Sequence, residues 1–309
     1  MAGKNNSAQT IPSVMNLFLA LFHTVINVYQ FFILPLWFLP WDLRWGWTLL
    51  PLALLSNPFW SLIHEAIHDL FDPRRAVNQF FGRVLAIAFG SPFRILRLSH
   101  LLHHKLNRTP IEGTELYDPQ NGSVWLAGLG YYFQVLGGLY LIEFASPLLF
   151  FLPRRLICGF RARFLKSGSV SDILMQNWTQ RDAIHEIRLD GVLGAAWLGG
   201  SLVCYGGYWT LWLAMIAARG FLISFLDNVY HYRTPVNDIF YAKNLYLPPI
   251  FASGLLHFNL HGIHHQNPAI PWIHLPGVFA RDGWTFQENY FVAAAKQLAG
   301  PVGLEELAS

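Results

Sequence analysis

The chain predicts an all-α fold: an integral membrane helical bundle of about four transmembrane helices, with interfacial helices and a cytoplasmic histidine-rich cap. Three observations carry this expectation. Only 13% of the 309 residues are charged while 53% are apolar, against roughly 25% charged in soluble proteins. The apolar residues collect into uncharged runs on the scale of the ~20 residues that one bilayer crossing takes. Thirteen histidines are present, most of them where those runs end. The two cysteines, Cys158 and Cys204, cannot staple a small secreted scaffold, and the low charge excludes a disordered or nucleic-acid-binding chain. No compositional break, repeat or low-complexity segment divides residues 1–309, so one domain is expected.

The elements follow in order. The polar start MAGKNNSAQTIPSV leads into the uncharged run Met15 to Leu39, which is too long for a signal-peptide core and lacks a small-residue cleavage site. It predicts a crossing over 15–39. After a turn at Trp41, Asp42 and Arg44, the run Trp47 to Ile63 leads directly into His64, predicting a second crossing over 47–65. Ser123 to Leu152 has 30 residues, more than one crossing needs and fewer than two take. Gly191 to Leu226 is interrupted only by Arg219 and divides at Gly206-Gly207 into crossings over 191–207 and 209–230. The segments Ala66–Gly122 and Pro153–Asp190 each carry seven Lys/Arg, whereas the first turn carries only Arg44, so both long loops are expected in the cytoplasm. An even number of crossings must then separate them, which predicts that 123–152 is interfacial or re-entrant near Gly137-Gly138. A single full span there would put the last histidines on the opposite face from the first. The predicted setting is a bacterial inner membrane rather than the endoplasmic reticulum.

His64 and His68 in HEAIHD lie four apart, so on a continuing helix both rings leave from one face. HLLHH supplies His100, His103 and His104, and HGIHH supplies His261, His264 and His265. Each box spaces its histidines i, i+3 and i+4, so three imidazoles per box can converge. Two HxxHH patterns beside an HxxxH far exceed chance and point to metal binding rather than to solvated histidines. Eight imidazoles exceed the four ligands of one tetrahedral zinc and suit iron, copper or zinc, so two metals are implied. Zinc cannot activate dioxygen, and a pair of redox-active irons at an apolar boundary suits oxidation of an unreactive hydrocarbon. A two-metal hydrolase would normally recruit bridging carboxylates. A non-enzymatic metal binder or transporter would line the middle of the membrane path instead.

HEAIHD, HLLHH and NLHGIHHQNP followed by PWIHLP resemble the membrane fatty acid desaturase superfamily. The resemblance covers most of the chain. It implies four crossings, a cytoplasmic non-haem diiron centre of two Fe ions, dioxygen as co-substrate, and attack on C–H bonds of a fatty acid or acyl lipid. Desaturation ranks first on this resemblance, hydroxylation second, and decarboxylation of a free fatty acid to a terminal alkene third, since all these enzymes share the boxes. It also implies a ninth ligand, His231 in DNVYH, with Asp227 as a water-mediated contact and Asn228 one residue off that spacing. Electrons are expected from a separate ferredoxin or cytochrome with a reductase, because there is no cysteine cluster, Gly-rich dinucleotide fingerprint or cytochrome-sized tail. Arg74, Arg75, Arg94, Arg97, Arg154, Arg155, Arg161 and Arg163 suit either an acidic carrier or anionic membrane lipid.

The other singular residues have plainer expectations. His257, four before His261, is expected to support a neighbouring imidazole, with direct ligation as the alternative. His185 reads as solvated, or as outer support of the metal site. His23 reads as an interhelical contact beside Asn27 and Gln30, and His274 as structural. Arg219 is a cation inside an apolar run. It is expected to pair with Glu143, or alternatively to meet a substrate head group.

Overall fold

The computed structural model describes residues 10–109 and 111–307. Helix accounts for 72% of the chain. Among the described residues the strands are two-residue pieces, paired in parallel as Leu116–Tyr117 with Val302–Gly303 and Leu245–Tyr246 with Glu288–Asn289. The apolar runs therefore satisfy their backbone groups within helices, as a bilayer demands.

Helix α1 (Ser13–Trp41) has 29 residues, about 43 Å at 1.5 Å per residue and more than the ~30 Å hydrocarbon core. Its amphipathicity is inverted relative to a soluble helix. Asn16, Ala20, His23 and Asn27 recur on one face and are buried, while Val14, Phe18, Leu21 and Val25 are exposed. An apolar exterior over a polar seam suits lipid outside and hydrogen bonds between helices inside. From Tyr29 to Phe38 the helix is wound in π form around Pro35. Proline has no N–H for the Phe31 carbonyl, and the ladder shifts to accommodate it.

A turn over Leu43–Thr48, capped by Asp42 accepting from the Arg44 N–H, reverses the chain into α2 (Leu49–Leu54) and α3 (Ser56–Ile67). Within the run expected to cross over 47–65, the helix is thus interrupted at Leu55. Pro58 cannot donate to the Leu54 carbonyl, so the helix restarts there. Asn16 Nδ2 donates to the Leu70 and Phe71 carbonyls, and Tyr29 bonds Thr48 at 3.1 Å near the turn. The first hairpin is therefore antiparallel.

Helices α4 (Arg75–Phe89) and α5 (Phe93–Leu106) are bent by 100°. Gly90 makes the bend at φ +111°, a conformation that disfavours any residue with a Cβ. Helix α6 (Val124–Phe150) is kinked at Gly137, φ +137°. Near its start Tyr131 donates to the Gln297 carbonyl, its middle packs on Gly220 and Ser224, and its last carbonyl accepts from Arg188. Two shorter helices, α7 (Arg154–Phe164) and α8 (Val170–Trp178), then lead to α9 (Arg181–Tyr205) and α10 (Trp209–Asp227). Trp212 Nε1 donates to Ser201 Oγ at 2.7 Å. A straight helix would hold residues eleven apart about 16 Å from one another along its axis. The chain therefore folds back at Gly206, which has φ +49°.

Both hairpin turns lie at one end of the bundle. Leu211 and Leu39 approach each other over Gly46, and the Tyr205 hydroxyl donates to the Gln30 carbonyl at 2.6 Å. The opposite end gathers the last turns of α3, α5 and α10. By length and composition α1, α6 and the folded-back stretch Arg181–Tyr230 qualify as membrane spans, and the bent α4–α5 pair would make a fourth.

Arg219, on α10, is 3% exposed and makes no ion pair with Glu143 among the described residues. Its guanidinium donates to the Ala88 and Phe89 carbonyls at the end of α4 and to Asn27 Oδ1 on α1, over the rings of Phe31, Phe59 and Phe89. Helix-end carbonyls take the place that the sequence suggested for Glu143 as the partner of Arg219. Arg219→Met should cost about 1–3 kcal/mol, chiefly through the Ala88 carbonyl left without a partner, since the Phe89 carbonyl keeps Tyr140 and Asn27 Oδ1 keeps Gln30. Its thermal midpoint in detergent should fall while metal content per folded protein stays at the wild-type value.

Candidate metal centre

His64 closes the last turn of α3 and His68 follows directly, their ring centroids 4.6 Å apart. Helix α5 carries His100, His103 and His104 at its C-terminal end, His231 follows the last turn of α10, and α11 (His261–Gln266) carries the third box. These segments converge into two groups. His64, His68, His100, His104 and His264 form one, and His103, His231, His261 and His265 the other, with the ligand atoms of each group within 4.8 Å of one another. All nine histidines expected as ligands are brought together.

The arrangement corrects one expectation. The three imidazoles of an HxxHH box do not converge on one point. In HLLHH the i and i+4 residues, His100 and His104, share the five-histidine group while His103 turns to the other. In HGIHH, His261 and His265 stay together while His264 crosses over. On an α-helix i+4 lies about 40° from i and i+3 about 60° to the other side, so each box straddles two points. The groups adjoin, with the His104 and His265 rings stacked at 4.3 Å.

The spacing fits metal ions. Nε2 of His100 lies 3.0 Å from those of His68 and His104, His264 Nε2 lies 3.1 Å from that of His104, and His265 Nε2 lies 3.2 Å from that of His261. For a metal–nitrogen bond of about 2.1 Å, ligands at right angles stand about 3.0 Å apart and tetrahedral ones about 3.4 Å. The observed edges suit a shell of more than four ligands. His64 Nε2 is buried with no hydrogen-bond partner, as expected of an atom reserved for a metal.

Burial, and then repulsion from neighbouring imidazoles, holds His231, His261, His264 and His265 well below the ordinary imidazole range. His104 is pushed down to about 3, chiefly by burial. These rings are neutral at pH 7, the form that binds metal. His103 is the exception. Burial pulls it down, but the adjacent Glu112 carboxylate and its hydrogen bond outweigh that and raise it.

A cavity of about 430 Å³ opens onto both groups through His100, His103, His231 and His261. Ile95, Leu96, Val135, Leu139, Ile142 and Leu174 give it apolar walls, and Glu112, Glu143, Asp227 and Asn228 also line it. Asn228 donates to Gln297 Oε1, and Gln297 in turn donates to the Phe225 carbonyl. Asp227 stands at the cavity wall without being a member of either group, and Asn228 is tied to the C-terminal segment.

The remaining expected contacts fall elsewhere. His257 belongs to neither group. It is half-buried at φ +53° and stacks on Trp272. His185 is exposed on α9, His23 stacks on Phe59, and His274 Nε2 donates to the Thr10 carbonyl. Arg219 does not line the cavity. The polar braces behind the histidines were not foreseen. Glu112 accepts from His103 Nδ1, Asn107 donates to the Ile239 and Tyr241 carbonyls, Asn244 Oδ1 accepts from the Ile263 N–H, and Glu65 accepts from the Trp272 N–H. Glu65 lies inside HEAIHD, whereas Asn107, Glu112 and Asn244 stand at irregular distances from the boxes, and no periodicity signals their roles.

An all-helical apolar bundle whose buried end holds two adjoining histidine groups defines a class of integral membrane proteins with a potential metal-binding site. The family model for fatty acid desaturases matches residues 39–293, a stretch that includes every histidine of both groups. The chain belongs to the fatty acid desaturase family. No curated protein and no solved structure matches it.

Two predictions follow from this geometry. His231→Ala should lower bound metal per folded chain, whereas His257→Ala should leave it unchanged; elemental analysis after gel filtration separates the two. In the metal-free protein, the depressed histidines take up protons only on unfolding, so the unfolded state binds more protons below the ordinary value of 6.5. Stability should therefore fall as pH drops through that value, by up to about 1.4 kcal/mol per pH unit for each histidine. Melting scans from pH 8 to pH 5 with a chelator present measure the slope.

Proposed function

We propose that the protein is a dioxygen-dependent non-haem diiron oxidoreductase that desaturates a fatty acyl chain. The observation that supports this most is the meeting of nine histidines, in two adjoining groups, with one largely apolar cavity. One iron would be held by His64, His68, His100, His104 and His264, and the other by His103, His231, His261 and His265, with Asp227 available through water. When bound, the iron pair supplies the oxidant for C–H cleavage from dioxygen and external electrons.

The chain's own residues hold the substrate. The walls formed by Ile95, Leu96, Val135, Leu139, Ile142 and Leu174 exclude water and align an acyl segment past His100 and His261. Desaturation removes two hydrogen atoms from adjacent carbons, and with two further electrons and two protons the dioxygen leaves as two waters. The motif asks no protein acid or base to take part. A separate ferredoxin or cytochrome with its reductase would deliver the electrons.

We also read residues 1–309 as one domain in a bacterial inner membrane, crossing near 15–39, 47–65, 191–207 and 209–230 with 123–152 interfacial or re-entrant. The shared position of both hairpin turns and the kink at Gly137 support this reading, and Lys/Arg of the long loops support a cytoplasmic histidine end. The test is metal analysis coupled to product analysis. Purified protein supplied with a reductase, ferredoxin, dioxygen and a panel of free and thioester-linked fatty acids should hold about two irons per chain and give a product two mass units lighter than the substrate. Zinc in place of iron, with no oxygen consumed, would sink the reading.

A further inference from the structure

The two histidine groups differ in more than number. Among the described residues, the one carboxylate hydrogen-bonded to an imidazole of either group is Glu112, whose Oε1 accepts from His103 Nδ1 at 2.9 Å. With Nδ1 donating, the lone pair of the neutral ring sits on Nε2, which leaves that atom to meet His231, His261 and His265. The five-histidine group has no such partner. The nearby acids are committed elsewhere, Glu65 to the Trp272 N–H and Asp69 to Arg97 and Asn78.

The loop that carries Glu112 is fastened on both sides. Asn107 Nδ2 donates to the Ile239 and Tyr241 carbonyls. Arg108, 1% exposed and held at φ +59°, pairs with the fully buried Glu115 at 2.7 Å and donates to the Thr234 and Pro235 carbonyls. Glu115 also accepts from the Arg233 N–H. These bonds tie segment 107–115 to the chain immediately after His231, so Glu112 and two imidazoles of the same group belong to one braced unit.

We propose that Glu112 is a positioning residue for the four-histidine site. It fixes His103 with Nε2 directed inward, and so compensates that site for having one imidazole fewer than its neighbour. The two metal positions are consequently inequivalent, and only one of them depends on a carboxylate behind its ligand. This inference rests on the diiron reading above.

The test compares wild type, Glu112→Ala and Glu112→Gln, each loaded with 57Fe and followed by Mössbauer spectroscopy and by the rate of iron release to a chelator. Wild type should show two iron environments. In Glu112→Ala one environment should be lost, with iron affinity at that site down about 10–100-fold, while the other stays unshifted. Glu112→Gln keeps an oxygen that can accept from Nδ1. It should retain both irons and shift the parameters of one environment only, a change that general loosening of the fold would not confine to one site. Wild-type spectra and release rates in Glu112→Ala, or equal loss of both irons in both variants, would overturn the proposal. An iron-free wild type would overturn the diiron reading and this inference with it, and so is distinct from failure in the variants alone.

Discussion

Everything at the buried end of this bundle depends on holding nine imidazoles with their lone pairs turned toward one another. Nitrogens 3.0–3.2 Å apart repel when both turn lone pairs inward, the state in which they can bind a cation, and burial keeps these rings from relieving it by taking on charge. The protein therefore has to resist an arrangement that its own ligand atoms oppose. It does so with buried polar braces behind the histidine segments. Asn78 donates to the Ala66 carbonyl and accepts from the Phe71 N–H, gripping the chain on both sides of His68. Asn244 accepts from the Ile263 N–H, and the Ala242 carbonyl lies so close under Gly262 that a Cβ there would come within 2.4 Å of it. Such contacts are worth little individually, but each leaves an expensive unpaired group if removed.

How much of this was legible follows from the range of each signal. The box spacings are local, and local spacing is what a helix converts directly into a face, so eight of the nine histidines could be named from the boxes, while His231 stands in no box and came only from the family resemblance. Their division between two groups could not, because it turns on whether the i+3 residue or the i, i+4 pair faces a given point, and that is decided by the neighbouring helices. His103 and His264 cross over for this reason. The long apolar runs were readable because the bilayer sets their length, whereas the break at Leu55 depends on one proline near a helix start. Glu112 lies eight residues beyond His104 with no pattern to announce it. Arg219 was recognisable as costly, but its partners are backbone carbonyls at the end of α4, and a sequence does not display which carbonyls are open.

The carriers of the boxes share one more feature, which bears on why a site of neutral ligands can hold cations at an apolar boundary. His64 lies in the last turn of α3, His103 and His104 in the last turn of α5, and His264 and His265 in the last turn of α11, while His231 follows the end of α10. The C-terminal end of a helix carries partial negative charge from carbonyls without partners, equivalent to about half an elementary charge for a long helix. Two metal cations surrounded only by imidazoles would bring several positive charges with nothing to offset them, and burial would make that prohibitive. Directing the ends of α3, α5 and α10 at the same place supplies part of the compensation. Asp227 and Glu112, both at the cavity wall, supply more, and both stand on the side of the group with fewer histidines. Of the nine, His261 alone opens a helix, the six-residue α11, where the opposing charge is small. The position of the histidines at the ends of the helices is therefore as much a part of the site as the spacing within each box.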